Sequence, residues 1–330
     1  MQIDGGGVGM LREIEERILN GDCITGEEAL RLTELREQEI YELIFVSNRV
    51  TRHYRGLKLE LCSIINARSG NCSEDCKFCA QSARYDTGAK AYPMVSPEET
   101  LRQAMIMEKA GAKRFSLVTS GRGISDCDLE TVLVAIGLLR RETGLNLCAS
   151  LGIIDEKKAL MLKEAGVSMY HHNLETAPSY FSRICTTHSY GDRVETIKAA
   201  RRAGLRVCAG GIIGLGESFS QRVELALEIR RLGVDSVPVN FLNPIRGTPL
   251  GNSPIPPPLS LLHALAIFRL ILPGSVIRLC GGRREGLRDL QALALMAGAD
   301  GVMIGDYLTT KGEDLSKDMQ MFADLGLKVS

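Results

Sequence analysis

Tryptophan is absent from the chain, and eight Phe and eight Tyr are all the large aromatic residues among its 330. So sparse a set cannot furnish a stacking platform for bases, and nucleic acid is not an expected partner. Charge of one sign is not in excess either: forty Lys and Arg balance forty Asp and Glu. That balance removes the electrostatic case for nucleic acid and for an anionic membrane surface. Long apolar runs are also missing. The longest, Leu259 to Leu272, is broken by His263 and Arg269, so no membrane span is expected. No N-terminal segment reads as a signal peptide, which points to a reducing, cytoplasmic setting. Against these absences stand ten cysteines. In such a compartment they are expected as ligands or core packing, not disulfides.

Three of them form the most informative stretch, Cys72-Ser-Glu-Asp-Cys76-Lys-Phe-Cys79, with the spacing C-x3-C-x2-C. A structural zinc site would need a fourth ligand close by, and the next histidines are as far off as His171 and His172. A redox C-x-x-C built from Cys76 and Cys79 would leave Cys72 idle. Three thiols are one too few for the four-Cys shell of an ordinary iron–sulfur cluster. A cluster held this way keeps one iron free to bind something other than protein. That suits reductive chemistry better than electron storage, and it disfavours a plain electron carrier or redox sensor.

The first 55 residues read as a helical extension. Thr25 and Glu28 make a capping box, and Leu30, Leu32, Leu35 and Ile40 follow at helical spacing. Residues 56–330 alternate differently: an apolar strand (Leu59 to Ile65), then amphipathic helices that end at Gly, each followed by an apolar strand. The junction glycines are Gly111, Gly144, Gly166, Gly204, Gly233, Gly274 and Gly298. Seven junctions and the opening strand predict eight parallel strands, the α/β fold of a (β/α)8 TIM-type barrel. An open doubly wound sheet satisfies the same alternation.

Barrel sites lie at the C-terminal ends of the strands, and the Cys72–Cys79 loop directly follows the first strand. Cys62, Cys148, Cys208 and Cys280 fall on the first, third, fifth and seventh strands. Alternate strands feed a common interior layer, so the four thiols are expected to converge, with Arg278 on the same side of its strand as Cys280. Each alone would read as a small buried hydrophobe. Cys23, Cys127 and Cys185 have no assigned role. Gly210-Gly211 through Gly214, Gly216 and Glu217 suggests a close backbone approach to a ligand or a sharp turn. His171 and His172 are adjacent on a strand, so shared ligation is not expected, whereas Asn173 and Glu175 share a face. Asn240 is polar where its strand pattern expects an apolar residue, as a ligand contact or as a satisfied structural amide.

Taken together, Cys72–Cys79, Tyr170-His-His-Asn173-Leu-Glu175-Thr176, Thr186-Thr187, Val207-Cys208-Ala-Gly-Gly211, Pro238-Val-Asn240, Gly247-Thr-Pro249 and Arg278-Leu-Cys-Gly-Gly-Arg283 resemble the biotin synthase family of the radical S-adenosylmethionine (SAM) superfamily. The resemblance implies a 4Fe–4S cluster on Cys72, Cys76 and Cys79 that reduces SAM to methionine and a 5′-deoxyadenosyl radical. The radical takes hydrogens from two carbons of dethiobiotin, and an auxiliary iron–sulfur cluster supplies the bridging sulfur. It implies SAM contacts at Phe78, Asn173, Glu175 and Arg193, and dethiobiotin contacts at Asn173 and Asn240. Cys148, Cys208 and Arg278 match auxiliary-cluster ligands. It further implies a homodimer and a flavodoxin- or ferredoxin-type electron donor. One position departs: Ser116 stands where the family carries a third auxiliary Cys. That puts an ordinary 2Fe–2S site in doubt and brings in Cys62 and Cys280, with a four-iron cluster as the variant. The rival reading is another radical SAM enzyme that inserts no sulfur.

Overall fold

The computed structural model describes residues 6–330. Three helices come first: α1 (Gly6–Leu19), α2 (Gly26–Arg31) and α3 (Glu37–Arg55). The expected capping box opens α2. Thr25 Oγ1 accepts from the Glu28 N–H at 3.1 Å, and the Glu28 carboxylate accepts from the Thr25 N–H at 2.7 Å. Residues 1–5, the start of the expected extension, lie outside the described residues.

From Lys58 onward, strands alternate with helices. The strands are β1 (Lys58–Arg68), β2 (Arg114–Thr119), β3 (Asn146–Ser150), β4 (Met169–His171), β5 (Arg206–Cys208), β6 (Gly211–Ile213), β7 (Ser236–Phe241), β8 (Val276–Leu279) and β9 (Gly301–Met303). Each pairs in parallel with its neighbour, and β9 returns to β1 through Leu61↔Val302. The sheet is therefore closed, and the open doubly wound alternative falls. β5 and β6 both pair with β7 and occupy one stave, so the barrel has eight positions. The helices between the strands are α4 (Pro97–Lys109), α5 (Asp126–Glu142), α6 (Glu156–Ala165), the single turn α7 (Phe181–Ile184), α8 (Tyr190–Arg202), α9 (Phe219–Arg231) and α10 (Pro258–Ile271).

Two details depart from the sequence expectation. Gly166 ends α6 in the left-handed conformation, but α5 ends on an extended Thr143, so Gly144 does not act as a left-handed cap, and Gly274, two residues past the Leu272 that caps α10, does not either. The fifth stave is split at Ala209 and Gly210. A Cβ on Gly210 would lie 1.9 Å from the Pro238 carbonyl oxygen. The glycine cluster thus serves backbone-to-backbone packing, while the Gly210 N–H donates to Asn173 Oδ1 at 3.1 Å.

The apolar run that raised the membrane question is α10, buried along almost its whole length with α3 packed against it. Its polar interruptions are satisfied internally. His263 Nε2 meets the Leu32 carbonyl at 2.7 Å. Arg269 donates to the Pro273, Ser275 and Gly298 carbonyls and pairs with Asp300 at 2.6 Å. Asp300 also takes Arg55 Nε at 2.5 Å. The end of α3 is thereby tied to the N-terminal end of the barrel, which leaves the opposite end for a site. Among the described residues no helix is long and apolar enough to cross a membrane.

Candidate active site

The segment after β1 is shaped before it is filled. Gly70 (φ 73°) and Asn71 (φ 51°) turn the chain in the left-handed region. The Cys72 N–H then donates to the Gln81 carbonyl and the Ala83 N–H to the Cys72 carbonyl, at 3.1 and 2.8 Å. A second set of bonds fastens this loop to the segment between α7 and α8. Asp75 accepts from the Thr186 and Thr187 N–H groups at 2.8 and 3.2 Å, and the Lys77 N–H donates to the Ile184 carbonyl at 2.9 Å. Burial opposes ionisation of Asp75, but the Thr186 hydroxyl and N–H outweigh it and hold the carboxyl far below the usual range. Cys72, Cys76 and Cys79 are presented on this braced loop, and burial pushes the Cys79 thiol up to about 11.

The loop forms the rim of a cavity of about 400 Å³ that opens at the C-terminal ends of the strands. Cys62, Cys148, Cys208 and Cys280 line the same cavity from inside the barrel, though no three of the four bring their sulfurs within 4.8 Å of one another. Each is buried, and burial raises all four; Cys208 is pushed up to about 12. The charge of Cys62 further disfavours ionisation of each of the other three. Arg278 works the other way. It is buried, donates to the Glu60 carbonyl and carboxylate at 3.1 Å each, and reaches Ser236 Oγ at 3.4 Å. Burial disfavours its charge, yet Cys62, Cys208 and Glu60 outweigh that and hold the guanidinium above its ordinary value.

A polar wall completes the cavity. Asn173 and Glu175 are not on a strand, since β4 ends at His171; a left-handed turn at Glu175 (φ 70°) brings the two side chains within 3.4 Å. Arg193, near the start of α8, donates to the Asn173 carbonyl at 2.8 Å and lies 3.6 Å from the Glu175 carboxylate. Burial raises the Glu175 carboxyl against the opposing pull of Arg193. Asn240 bridges backbone: Oδ1 accepts from the Gly281 N–H at 2.9 Å, and Nδ2 donates to the Gly211 carbonyl at 3.3 Å. It is a satisfied amide and also lines the cavity, as does Phe78.

The sequence reading singled out His171 and His172 without assigning them to the site, and it missed His188 and Arg114. His171 and His172 both border the cavity, because the strand ends between them; His171 Nδ1 lies 3.3 Å from Cys208 Sγ. His188 meets Glu74 at 2.5 Å and accepts from Arg193 Nε at 3.1 Å. Arg114 lies two residues before Ser116, and the strand period placing both on one face was a signal available in the sequence.

This donor set fits iron–sulfur clusters. Arg114 Nη1, Ser116 Oγ, Thr119 Oγ1 and His172 Nε2 are buried without hydrogen-bond partners and belong to residues lining the cavity, as a polar occupant requires. Cys72, Cys76 and Cys79 do not gather within 4.8 Å of one another, a spacing too wide for one shared ion. Thiolate-only donors are the usual ligands of iron–sulfur clusters.

A closed parallel barrel with an open three-thiol loop at its C-terminal rim defines a radical SAM enzyme. The radical SAM superfamily model matches residues 67–229, and the model of the biotin and thiamin synthesis associated domain matches residues 238–328. The chain is 58% identical to the biotin synthase of Pelotomaculum thermopropionicum over 97% of its own length and 100% of that protein. It is 51% identical to that of Heliobacterium modesticaldum, with 97% and 98% covered. The chain belongs to the biotin synthase family, whose members are radical SAM sulfurtransferases. Its fold is similar to that of methylornithine synthase (TM-score 0.84, 21% identity, 96% of this chain and 97% of that one). It is also similar to the FeFe-hydrogenase maturase of Carboxydothermus hydrogenoformans (TM-score 0.82, 17% identity, 99% and 81%).

Proposed function

We propose that this chain converts dethiobiotin to biotin with two iron–sulfur clusters held in one cavity. The observation that carries the reading is that three rim thiols and four interior thiols line that single space. Cys72, Cys76 and Cys79 hold the radical-generating 4Fe–4S cluster, and Phe78, Asn173, Glu175 and Arg193 bind SAM. Asn173 and Asn240 orient dethiobiotin. Cys62, Cys148, Cys208 and Cys280 hold the auxiliary cluster, with Arg278 as its charge partner, and Ser116 leaves β2 without a thiolate. When bound, the clusters and SAM supply the reducing electron, the adenosyl radical and the sulfur. The protein aligns the target C–H bonds with the radical carbon and keeps water out of the barrel. Residues 56–330 form the catalytic barrel, and the described part of the preceding extension, residues 6–55, its helical cover. A homodimer in the cytoplasm, served by a flavodoxin- or ferredoxin-type donor, completes the reading.

The test uses a Cys72/Cys76/Cys79 triple-Ala variant, reconstituted anaerobically with iron and sulfide and measured by Mössbauer spectroscopy with iron and sulfide assays. The expected result is a cluster in the barrel, whose iron count separates a two-iron site from the four-iron variant, since four thiolates suit either type. An iron-free barrel would sink sulfur insertion and favour a radical enzyme acting on another small molecule.

A further inference from the structure

Cys185 is the buried thiol to which the proposed function gives no role; Cys23 and Cys127, the other two unassigned thiols, are exposed. It follows α7 directly, in the segment fastened to the cluster loop. Its Sγ lies 3.8 Å from Cys76 Sγ, 3.3 Å from His188 Nδ1 and 3.3 Å from Asp75 Oδ1. The contact is not a chance of rotamers, because the backbone on both sides is locked. Asp75, just before Cys76, binds the Thr186 and Thr187 N–H groups, and Lys77, just after it, binds Ile184. Cys76 lines the cavity and Cys185 does not, so a small oxidant reaches Cys76 first.

We propose that Cys76 and Cys185 are an oxidisable pair that stores the loop in a recoverable form whenever iron is absent. In that state the Cys76 sulfur passes its proton to the Cys185–His188 group to which it donates and attacks a peroxide: an S–O bond forms, the O–O bond breaks, and hydroxide leaves, taking up a proton as water. The Cys185 sulfur then attacks the resulting sulfenic acid and expels its oxygen as water. In total, two thiols lose two electrons and two protons, and one hydrogen peroxide becomes two waters. A dithiol reductant reverses the linkage by exchange. While linked, Cys76 cannot take iron. Without Cys185 the sulfenic acid has no such neighbour, and further peroxide carries it to sulfinic acid, which thiols do not reverse. The consequence for iron rests on Cys76 being a cluster ligand; the linkage itself does not.

The experiment takes the full chain, stripped of iron by a chelator under reductant, and exposes it anaerobically to equimolar hydrogen peroxide. Free thiols are alkylated, and unreduced peptides are mapped by mass spectrometry, with cleavage after Glu74 separating Cys72 from Cys76. The expected product joins Cys76 to Cys185, and dithiothreitol then restores iron uptake by the loop. Given a second equivalent of peroxide, Cys185→Ser, which takes up iron like the parent before oxidation, is expected to gain sulfinic acid at Cys76 and to stay unrestored, while the parent under the same two equivalents remains recoverable. Recovery of Cys185 fully alkylated, with Cys76 joined to Cys72 or Cys79, would overturn the proposal. A Cys76–Cys185 link in a chain whose reduced loop takes up no iron supports the pair and instead sinks the cluster assignment.

Discussion

Replacing Arg278 separates two jobs its guanidinium could do beside the interior thiols. All three of its nitrogens already donate to protein, two to Glu60 at 3.1 Å and one to Ser236 at 3.4 Å. Nitrogens engaged in this way are poorly placed to bind iron, so the geometry favours a fixed counter-charge to four thiolates. Arg278→Lys keeps the charge but cannot hold three acceptors with one ammonium, a loss of roughly 2 kcal/mol for one charged and one neutral hydrogen bond. Arg278→Met removes the charge as well. Glu60 is not stranded by that change, since Arg55 stays at 2.9 Å and Arg114 at 3.6 Å. The cost therefore sits at the low end for a broken buried pair, about 3 kcal/mol. Urea unfolding of the iron-free chain measures both costs. Iron assays in the Cys72/Cys76/Cys79 triple-Ala background measure the auxiliary site. The expected pattern is retention of auxiliary iron in the Lys variant and its loss or depletion in the Met variant. A Lys variant that unfolds like the parent yet carries no auxiliary iron would refute the counter-charge argument and make Arg278 a direct ligand.

Glu175→Gln should weaken SAM binding by roughly 10- to 100-fold, the worth of one charge-assisted hydrogen bond. Because burial raises the Glu175 carboxyl and a cation favours its charged form, SAM affinity of the parent should climb as pH rises through that raised pKa. Equilibrium binding should find the climb flattened in the variant; an equally steep profile in both would remove Glu175 from the SAM site. At the other end of the chain, the hydrogen bond from Arg17, seconded by that from Thr25, holds Glu28 down to about 2 against its ordinary 4.5. Its contribution is complete above about pH 4.5 and is lost as pH falls toward about 2. Thr25→Ala should cost about 1 kcal/mol at neutral pH, and Glu28→Gln should flatten acid unfolding across that window. An unchanged acid limb in Glu28→Gln would show that the capping box does not limit stability there.

What could be read in advance depended on how local its cause was. The three-thiol loop is written in eight consecutive residues, and the eight-stave count follows from a repeat of helix, glycine and strand, each decided within a few positions. That Cys62, Cys148, Cys208 and Cys280 enter one cavity was also legible, because strand order and the two-residue period together set which side chains enter a barrel. The polar wall was not legible in the same way. Asn173 and Glu175 meet through a left-handed turn outside β4, and the Gly210 that pins Asn173 is glycine because Pro238 comes too close for a side chain. Neither fact has a signature in its own segment. Cys185 is the sharpest case. Its neighbours in sequence, Thr186 and Thr187, contribute to the family resemblance without saying what they do, and their purpose appears only against Asp75, 111 and 112 positions away. Composition could say that such a thiol was unpaired in a reducing setting. Only the fold sets it 3.8 Å from the central cysteine of the loop, where its chemistry and that of Cys76 are no longer independent.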